Sequence, residues 1–264
     1  MSNNENPVLL TIDGHIARIR FNRPECLNAV DVGTSQGLLK AATEISQAED
    51  VRVIILTGEG RSFMAGGDLA FFREAGPAAP DAAHAVISPM HQGLKLLAAL
   101  PQPIISAVQG PLAGAGMSIA LFADFVIAAD NAVFNSAYIN VANNPDCSGS
   151  WVLPRLVGMR KAMEIMLLSD NIDATQALEL SLVNQVVPLE QLSEAADKLA
   201  AKISKKAPLA VQSLKALVRG SFEHTLDQQL DLEEEKFAKN AGSADFLEAL
   251  EAFFGKRKPE FTGK

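Results

Sequence analysis

Two glycine-rich segments, each placed directly after an apolar run, are the first residues whose types could do chemistry. Phe63–Leu69 (FMAGGDL) follows Val51–Thr57, and Gln109–Met117 (QGPLAGAGM) follows Ile104–Val108. Glycine lets the main chain approach a ligand closely, and the second segment enters a helical pattern whose first N–H groups point outward at the positive end of the dipole. As a pair, the two segments predict an oxyanion hole.

Either segment alone is also compatible with an ordinary turn between a strand and a helix. The glycines at 110, 114 and 116 are spaced GxxxGxG. A dinucleotide-binding fingerprint is GxGxxG, so the spacing disfavours a nicotinamide enzyme.

Composition limits the function further. The net charge of −8 disfavours a nucleic-acid surface, which needs a basic stripe. With only Cys26 and Cys147, no disulfide framework is expected, which favours a reducing compartment. The N-terminus lacks a basic leader, and no apolar run approaches the roughly 20 residues of a membrane span. We therefore predict a cytoplasmic protein with neither nucleic-acid nor membrane partners.

The elements that must position these segments are predicted to alternate strands and helices. Asp13-Gly14 separates two β-branched runs, Val8–Ile12 and His15–Phe21, as in a hairpin. Near-continuous apolar runs predict strands buried on both faces of a largely parallel sheet. These runs are Val51–Thr57, Ile104–Val108 and Phe125–Ala129, and helical patterns cover Gly33–Gln47 and Ala82–Ala99. Ala75–Ala83 (AGPAAPDAA) is expected to be a mobile loop.

After about Val187 no strand pattern recurs. Amphipathic helical patterns occupy Leu189–Lys206, Pro208–Gly220, Leu226–Asn240 and Ser243–Phe254. We therefore predict an α/β core over residues 1–187 and a helical region over residues 188–264.

Four motifs, in order and at family spacing, resemble the crotonase (enoyl-CoA hydratase/isomerase) superfamily. They are RFNRPECLNAVD (Arg20–Asp31), FMAGGDL, QGPLAGAGMSIALFAD (Gln109–Asp124) and FFGKRKPEF (Phe253–Phe261). The resemblance implies a fold of repeated ββα units with a helical C-terminal trimerisation region. It also implies an acyl-coenzyme A substrate and a homotrimer or dimer of trimers.

By position, the resemblance implies that the main-chain N–H groups of Gly67 and Ala115 hold the thioester oxygen. Ala65, Asp68 and Leu69, which surround Gly67, are assigned to substrate binding, with Asp68 orienting the loop or capping a helix. We expect no metal site, and no cofactor apart from the coenzyme A that belongs to the substrate.

Hydratases of this family carry two glutamates that hold a water, and here those positions hold Ser118 and Tyr138. Neither side chain is a base at neutral pH, so simple hydration is disfavoured. Asp146 lies in NPDCSGSWVLPRLVG, which resembles the 1,2-epoxyphenylacetyl-CoA isomerase branch, where the matching aspartate shuttles a proton. One carboxylate suits an isomerase, although an Asp after Pro also commonly forms a turn.

Three alternatives stay open. Hydration remains if another group replaces the glutamates. The 4-chlorobenzoyl-CoA dehalogenases have residues matching His91 and Asp146, although they carry tryptophan in place of Tyr138. Loss of both glutamates is also what a non-catalytic acyl-CoA-binding member would show. Trp151 is predicted to line the acyl pocket, and Lys256 to neutralise coenzyme A phosphates from a neighbouring subunit.

Overall fold

The computed structural model describes residues 6–264, and this part of the chain contains nine strands and ten α-helices. The strands are β1 (Val8–Asp13), β2 (Ile16–Phe21), β3 (Val53–Gly58), β4 (Ile104–Val108), β5 (Pro111–Ala113), β6 (Phe125–Ala129), β7 (Val133–Asn135), β8 (Ile172–Asp173) and β9 (Gln185–Val187). The helices are α1 (Val32–Ser46), α2 (Leu69–Ala75), α3 (Ala79–Ala99), α4 (Ala115–Phe122), α5 (Gly149–Leu168), α6 (Ala174–Glu179), α7 (Leu192–Ser204), α8 (Pro208–Gly220), α9 (Leu226–Ala241) and α10 (Ala244–Phe254). None of these helices is long and apolar enough to cross a bilayer.

The main sheet has six strands in the order β1-β2-β3-β4-β6-β9. The β1–β2 hairpin is antiparallel, as Asp13-Gly14 predicted, and the other neighbouring strands are parallel. Every residue of β4 is buried, which explains its uninterrupted apolar run. A second sheet, β5-β7-β8, lies beyond the ends of β4 and β6. The successions β4-β5-α4 and β6-β7-α5 are the expected ββα units.

The prediction of a loop over Ala75–Ala83 is wrong, because the segment is helical. Helix α2 ends at Ala75, a 3-10 turn covers Gly76–Ala78, and α3 begins at Ala79. Both prolines of the segment lie in the first turn of a helical element, where the missing N–H has no intrahelical partner in any case. Gly76, with φ 51°, supplies the bend between them. The prolines that suggested a loop therefore mark the starts of two helical elements.

The chain after Val187 is helical, as predicted, but its first helix, α7, packs against the main sheet. Leu192, Ala196 and Ala200 of α7 form a buried cluster with Val53 and Ile105. The assignment of residues 1–187 and 188–264 as separate domains stays a prediction.

Helix α8 is tied to the sheet by charged groups around Asp124. This carboxylate accepts hydrogen bonds from the backbone N–H of Ile104 (2.8 Å) and from Arg219 (2.8 Å), and it pairs with Lys215 (3.3 Å). The Lys215 side chain is buried, and burial lowers the pKa of its ammonium. Its charge therefore depends on the nearby carboxylate.

Replacing Asp124 by Ala should lower the free energy of unfolding by about 3 kcal/mol, because a buried cation loses its partner. The matched control is Glu44→Ala, which removes an exposed i,i+4 partner of Lys40 and should cost at most about 0.5 kcal/mol. Urea unfolding followed by circular dichroism measures both. Equal effects of the two substitutions would contradict this role for Asp124.

Candidate active site

The two glycine-rich segments lie against each other. Met64 and Leu112 form a parallel bridge, and the N–H of Ala113 donates to the carbonyl of Met64 (3.3 Å). A Cβ on Gly116 would lie 1.8 Å from that same carbonyl oxygen, and one on Gly66 would lie 2.9 Å from the carbonyl oxygen of Ala113. These glycines are therefore required for close approach of the segments.

The contact leaves two main-chain N–H groups without an acceptor. In the first glycine-rich segment, the carbonyl of Gly66 accepts from the N–H of Val30 (2.8 Å), and the N–H of Asp68 donates to the carbonyl of Val30 (2.9 Å). The N–H of Gly67, between them, makes no hydrogen bond to Val30. Ala115 is the first residue of α4, so its N–H has no intrahelical acceptor. Within residues 6–264 neither amide donates to another group. Both N–H groups are therefore available as donors.

Asp68 fixes the loop that carries Gly67. Its carboxylate caps α2 by accepting from the N–H of Phe71 (3.3 Å), and it pairs with Arg23 (3.2 Å). Arg23 also pairs with Asp31 (3.2 Å) and donates to a main-chain carbonyl. Sequence reasoning missed this arginine, although its position inside the RFNRPECLNAVD motif was a signal.

The other two residues that the sequence grouped with Gly67 differ in exposure. Leu69 is 58% exposed at the start of α2. Ala65 is partly buried, and its N–H donates to the carbonyl of Leu27 (3.0 Å). Leu69 is therefore open to an incoming ligand, whereas Ala65 serves the geometry of the loop.

Asp146, Tyr138 and Ser118 form one hydrogen-bonded chain. The Tyr138 hydroxyl donates to Asp146 Oδ1 in a very short contact, and Ser118 Oγ lies 3.1 Å from the same hydroxyl oxygen. Burial, together with the neighbouring carboxylate, raises the pKa of Tyr138 well above its ordinary value. The phenol therefore stays protonated and acts as a donor. Asp146 supplies the carboxylate at the end of this series of hydrogen bonds.

The turn after Asp146 is held by His91 of α3. The N–H of Cys147 donates to His91 Nε2 (3.1 Å), which places the imidazole proton of a neutral ring on Nδ1. Cys147 (φ 49°) and Ser148 (φ 77°) are consecutive left-handed residues, a conformation that costs free energy and needs support. His91 supplies this support, so its Nε2 lone pair is already engaged.

The Cys147 thiol is buried, and burial together with Asp146 raises its pKa well above the ordinary value. A thiol that stays protonated is a poor nucleophile. Cys147 is therefore a poor candidate nucleophile, and Asp146 stays the candidate reactive group of this turn.

A narrow cavity of about 10 Å³ adjoins Ser118 and Tyr138. This volume is about that of one water molecule at most. Its apolar wall consists of Met117, Leu121, Leu153 and Met166. A Cβ on Gly149 would lie 2.5 Å from Ser118 Oγ, so the site is closely packed on this side as well.

Trp151 and Lys256 lie in more open positions. Trp151 is 40% exposed, and the guanidinium carbon of Arg155 lies 3.9 Å from the centroid of its ring. Lys256 is exposed in the turn after α10. The structure thus brings Asp146, Tyr138, Ser118 and His91 together in one site, whereas Trp151 packs on Arg155.

The chain belongs to the enoyl-CoA hydratase/isomerase family, whose model matches residues 11–264. It is 37% identical to a 1,2-epoxyphenylacetyl-CoA isomerase of Escherichia coli over 97% of this chain and 98% of that protein. A short-chain-enoyl-CoA hydratase of Clostridium acetobutylicum is 34% identical, with 97% of each chain covered. The crystal structure of an enoyl-CoA hydratase from Polaromonas has a TM-score of 0.92 at 33% identity, covering 97% and 99% of the two chains. The expected crotonase-type fold and membership of the enoyl-CoA hydratase/isomerase enzyme family are confirmed, and the relatives are named both isomerases and hydratases.

Proposed function

We propose that this enzyme is an enoyl-CoA isomerase that moves a proton between two carbons of an unsaturated acyl thioester. The observation that carries the proposal is the position of Asp146, whose Oδ1 accepts a hydrogen bond from the Tyr138 hydroxyl. By family resemblance, a hydratase would have two glutamates in place of Tyr138 and Ser118. A single carboxylate beside two hydroxyls suits proton transfer without a bound nucleophilic water.

In the proposed reaction, the N–H groups of Gly67 and Ala115 bind the thioester oxygen. Asp146 removes the proton next to the carbonyl, and the electron pair spreads over the conjugated enolate. The same carboxylic acid then returns the proton to the vinylogous carbon. The two donors stabilise charge where it develops, which is commonly the largest single contribution to such catalysis.

Hydration is less well supported, because the hydroxyls of Ser118 and Tyr138 contact each other and Tyr138 contacts Asp146, and neither hydroxyl is a base at neutral pH. A dehalogenase-like hydrolysis is also less well supported, because His91 Nε2 accepts the Cys147 N–H and is not free to activate water. A pure binding protein needs no carboxylate directed at the acyl carbon, so Asp146 favours an enzyme.

The proposed substrate is an acyl-coenzyme A with an unsaturated or ring-bearing chain, which Tyr138 and Trp151 would contact. The isomerase name of the E. coli relative supports this reading, whereas other relatives are named hydratases. Coenzyme A itself is part of the substrate, and no other cofactor is proposed. Lys256 would reach its phosphates across a subunit boundary, and the proposed location is the cytoplasm.

The proposal is tested by supplying a 3-enoyl-CoA and following the absorbance of the conjugated 2-enoyl thioester, with product assignment by NMR. The expected product is the 2-enoyl-CoA. Turnover of the matching 2-enoyl-CoA to 3-hydroxyacyl-CoA, with no turnover of the 3-enoyl-CoA, would identify a hydratase, and chloride release from 4-chlorobenzoyl-CoA a dehalogenase. Tight acyl-CoA binding without turnover would identify a binding protein.

We also propose a homotrimer or a dimer of trimers. After Val187, many large apolar side chains of the helices and of the turn at Phe222 are more than half exposed, and exposed apolar surface of this kind is typical of interfaces. These are Leu214, Val218, Phe222, Leu226, Leu230, Phe237, Leu247, Phe253 and Phe254. Light scattering should give three or six times the 28.1 kDa chain mass. A stable monomer at micromolar concentration would contradict this assembly and the role of Lys256.

A further inference from the structure

The Tyr138 hydroxyl has the surroundings of a bound water. It lies 3.1 Å from Ser118 Oγ and 3.4 Å from the main-chain carbonyl of Asp146, and it donates to Asp146 Oδ1. Ordered buried waters typically have about three polar neighbours of this kind. The phenol therefore places an oxygen where a water would otherwise bind to the carboxylate.

We propose that Tyr138 determines reaction specificity by occupying this water position with a hydroxyl that cannot leave. This inference rests on the proposed isomerase function. A water bound to Asp146 at this point is a potential nucleophile toward the acyl double bond. A phenolic oxygen that is half-buried, protonated and covalently attached to the chain cannot add to it and depart as product.

The position of the phenol is fixed by its backbone. Tyr138 begins a 3-10 turn between two left-handed residues, Ala137 (φ 56°) and Ala142 (φ 57°). Ser169 Oγ accepts from the N–H of Ala137 (3.1 Å) and from the amide of Asn140 (2.9 Å). The ring also packs near Gly114, where an added Cβ would lie 3.7 Å from two ring atoms. The hydroxyl is therefore held at the junction of the glycine segment and Asp146.

The suppressed reaction is the addition of water to a 2-enoyl-CoA. With Tyr138 changed to Phe, a water would fill the vacated position between Ser118 and Asp146. Its oxygen forms a bond to the β-carbon while one of its protons passes to Asp146, and the C=C electron pair moves into the enolate. Asp146 then delivers that proton to the α-carbon. One water is consumed, the carboxylate is regenerated, and no other reactant is required.

The test uses the wild-type enzyme and Tyr138→Phe with a 3-enoyl-CoA in H₂¹⁸O, and mass spectrometry of the products. The ratio of ¹⁸O-labelled 3-hydroxyacyl-CoA to 2-enoyl-CoA should rise at least about tenfold in Tyr138→Phe, the scale of discrimination that one contact supplies. Ser118→Ala in the Tyr138→Phe background removes one partner of the new water and should lower the ratio again. A merely structural role for Tyr138 would reduce both products together and leave the ratio unchanged.

An unchanged product ratio in folded Tyr138→Phe would overturn the inference. A double variant with the same product ratio as Tyr138→Phe would also overturn it. The wild type gives an independent test that does not require the variant to fold. If it incorporates ¹⁸O as fast as it isomerises, Tyr138 does not exclude water. A wild type that isomerises without hydrating, combined with an unchanged variant ratio, would refute this inference alone. A wild type that isomerises no enoyl-CoA would refute the proposed function, and this inference with it.

Discussion

Replacing Asp146 by Asn should lower isomerisation by at least about 10²-fold, a typical contribution of a general base. The amide keeps the size of the side chain and an oxygen that can accept from Tyr138, so the local structure should survive. What is lost is the ability to take up and return a proton. Steady-state kinetics should therefore show a fall in kcat, while binding of an acyl-CoA measured by calorimetry is retained.

The matched control is Asp170→Asn, which makes the same change at an exposed position after α5 and should leave kcat unaltered. Unaltered activity of Asp146→Asn toward every acyl-CoA tested would contradict the mechanism. In a dehalogenase, the substitution would instead abolish chloride release and a covalent aryl adduct, and His91→Ala would make that adduct accumulate.

Replacing Gly67 by Pro should lower turnover by about 10²-fold or more, because it deletes one donor to the thioester oxygen. The control is Gly67→Ala, which keeps the N–H. An added Cβ would have Phe72 as its one close neighbour, at 3.4 Å, and the residue does not have positive φ. The alanine variant should therefore retain most activity.

Circular dichroism and thermal unfolding of both Gly67 variants establish that the fold is intact. If folded Gly67→Pro turns over as fast as Gly67→Ala, the thioester oxygen binds elsewhere. A loss confined to KM would also contradict the proposal, since an oxyanion hole acts mainly on the transition state.

The parts of the fold that were predictable from sequence depend on local patterns. Strand β4 is buried throughout, so its apolar run was unambiguous, and the hairpin turn at Asp13-Gly14 has its own sequence signal. The glycines were predicted to let the main chain approach a ligand, whereas the structure shows that Gly116 is also required for the contact with Met64 of the other glycine segment. The loop prediction for Ala75–Ala83 was wrong because its local signal was ambiguous. Prolines occur both in loops and at helix starts.

The chemistry of the site depends on contacts between distant segments, and the sequence pattern does not encode them. Tyr138 and Ser118 were recognised as departures from the hydratase pattern, but not as partners of each other and of Asp146. His91 lies 56 residues before Cys147, and its role as a hydrogen-bond acceptor depends on how α3 packs beside that turn. Periodicity identifies which face of a helix is buried, but not which buried polar groups meet.

Exchange of substrate protons with heavy water is the most direct measure of whether Asp146 does the proposed chemistry. The wild-type enzyme and Asp146→Asn are incubated in D₂O with an acyl-CoA, and NMR follows deuterium at the carbon next to the carbonyl and at the vinylogous carbon. We expect the wild type to catalyse exchange at both carbons, and Asp146→Asn to lose exchange in parallel with isomerisation, by at least about 10²-fold. Exchange at the wild-type rate in folded Asp146→Asn would show that another group moves the proton, and would contradict the account.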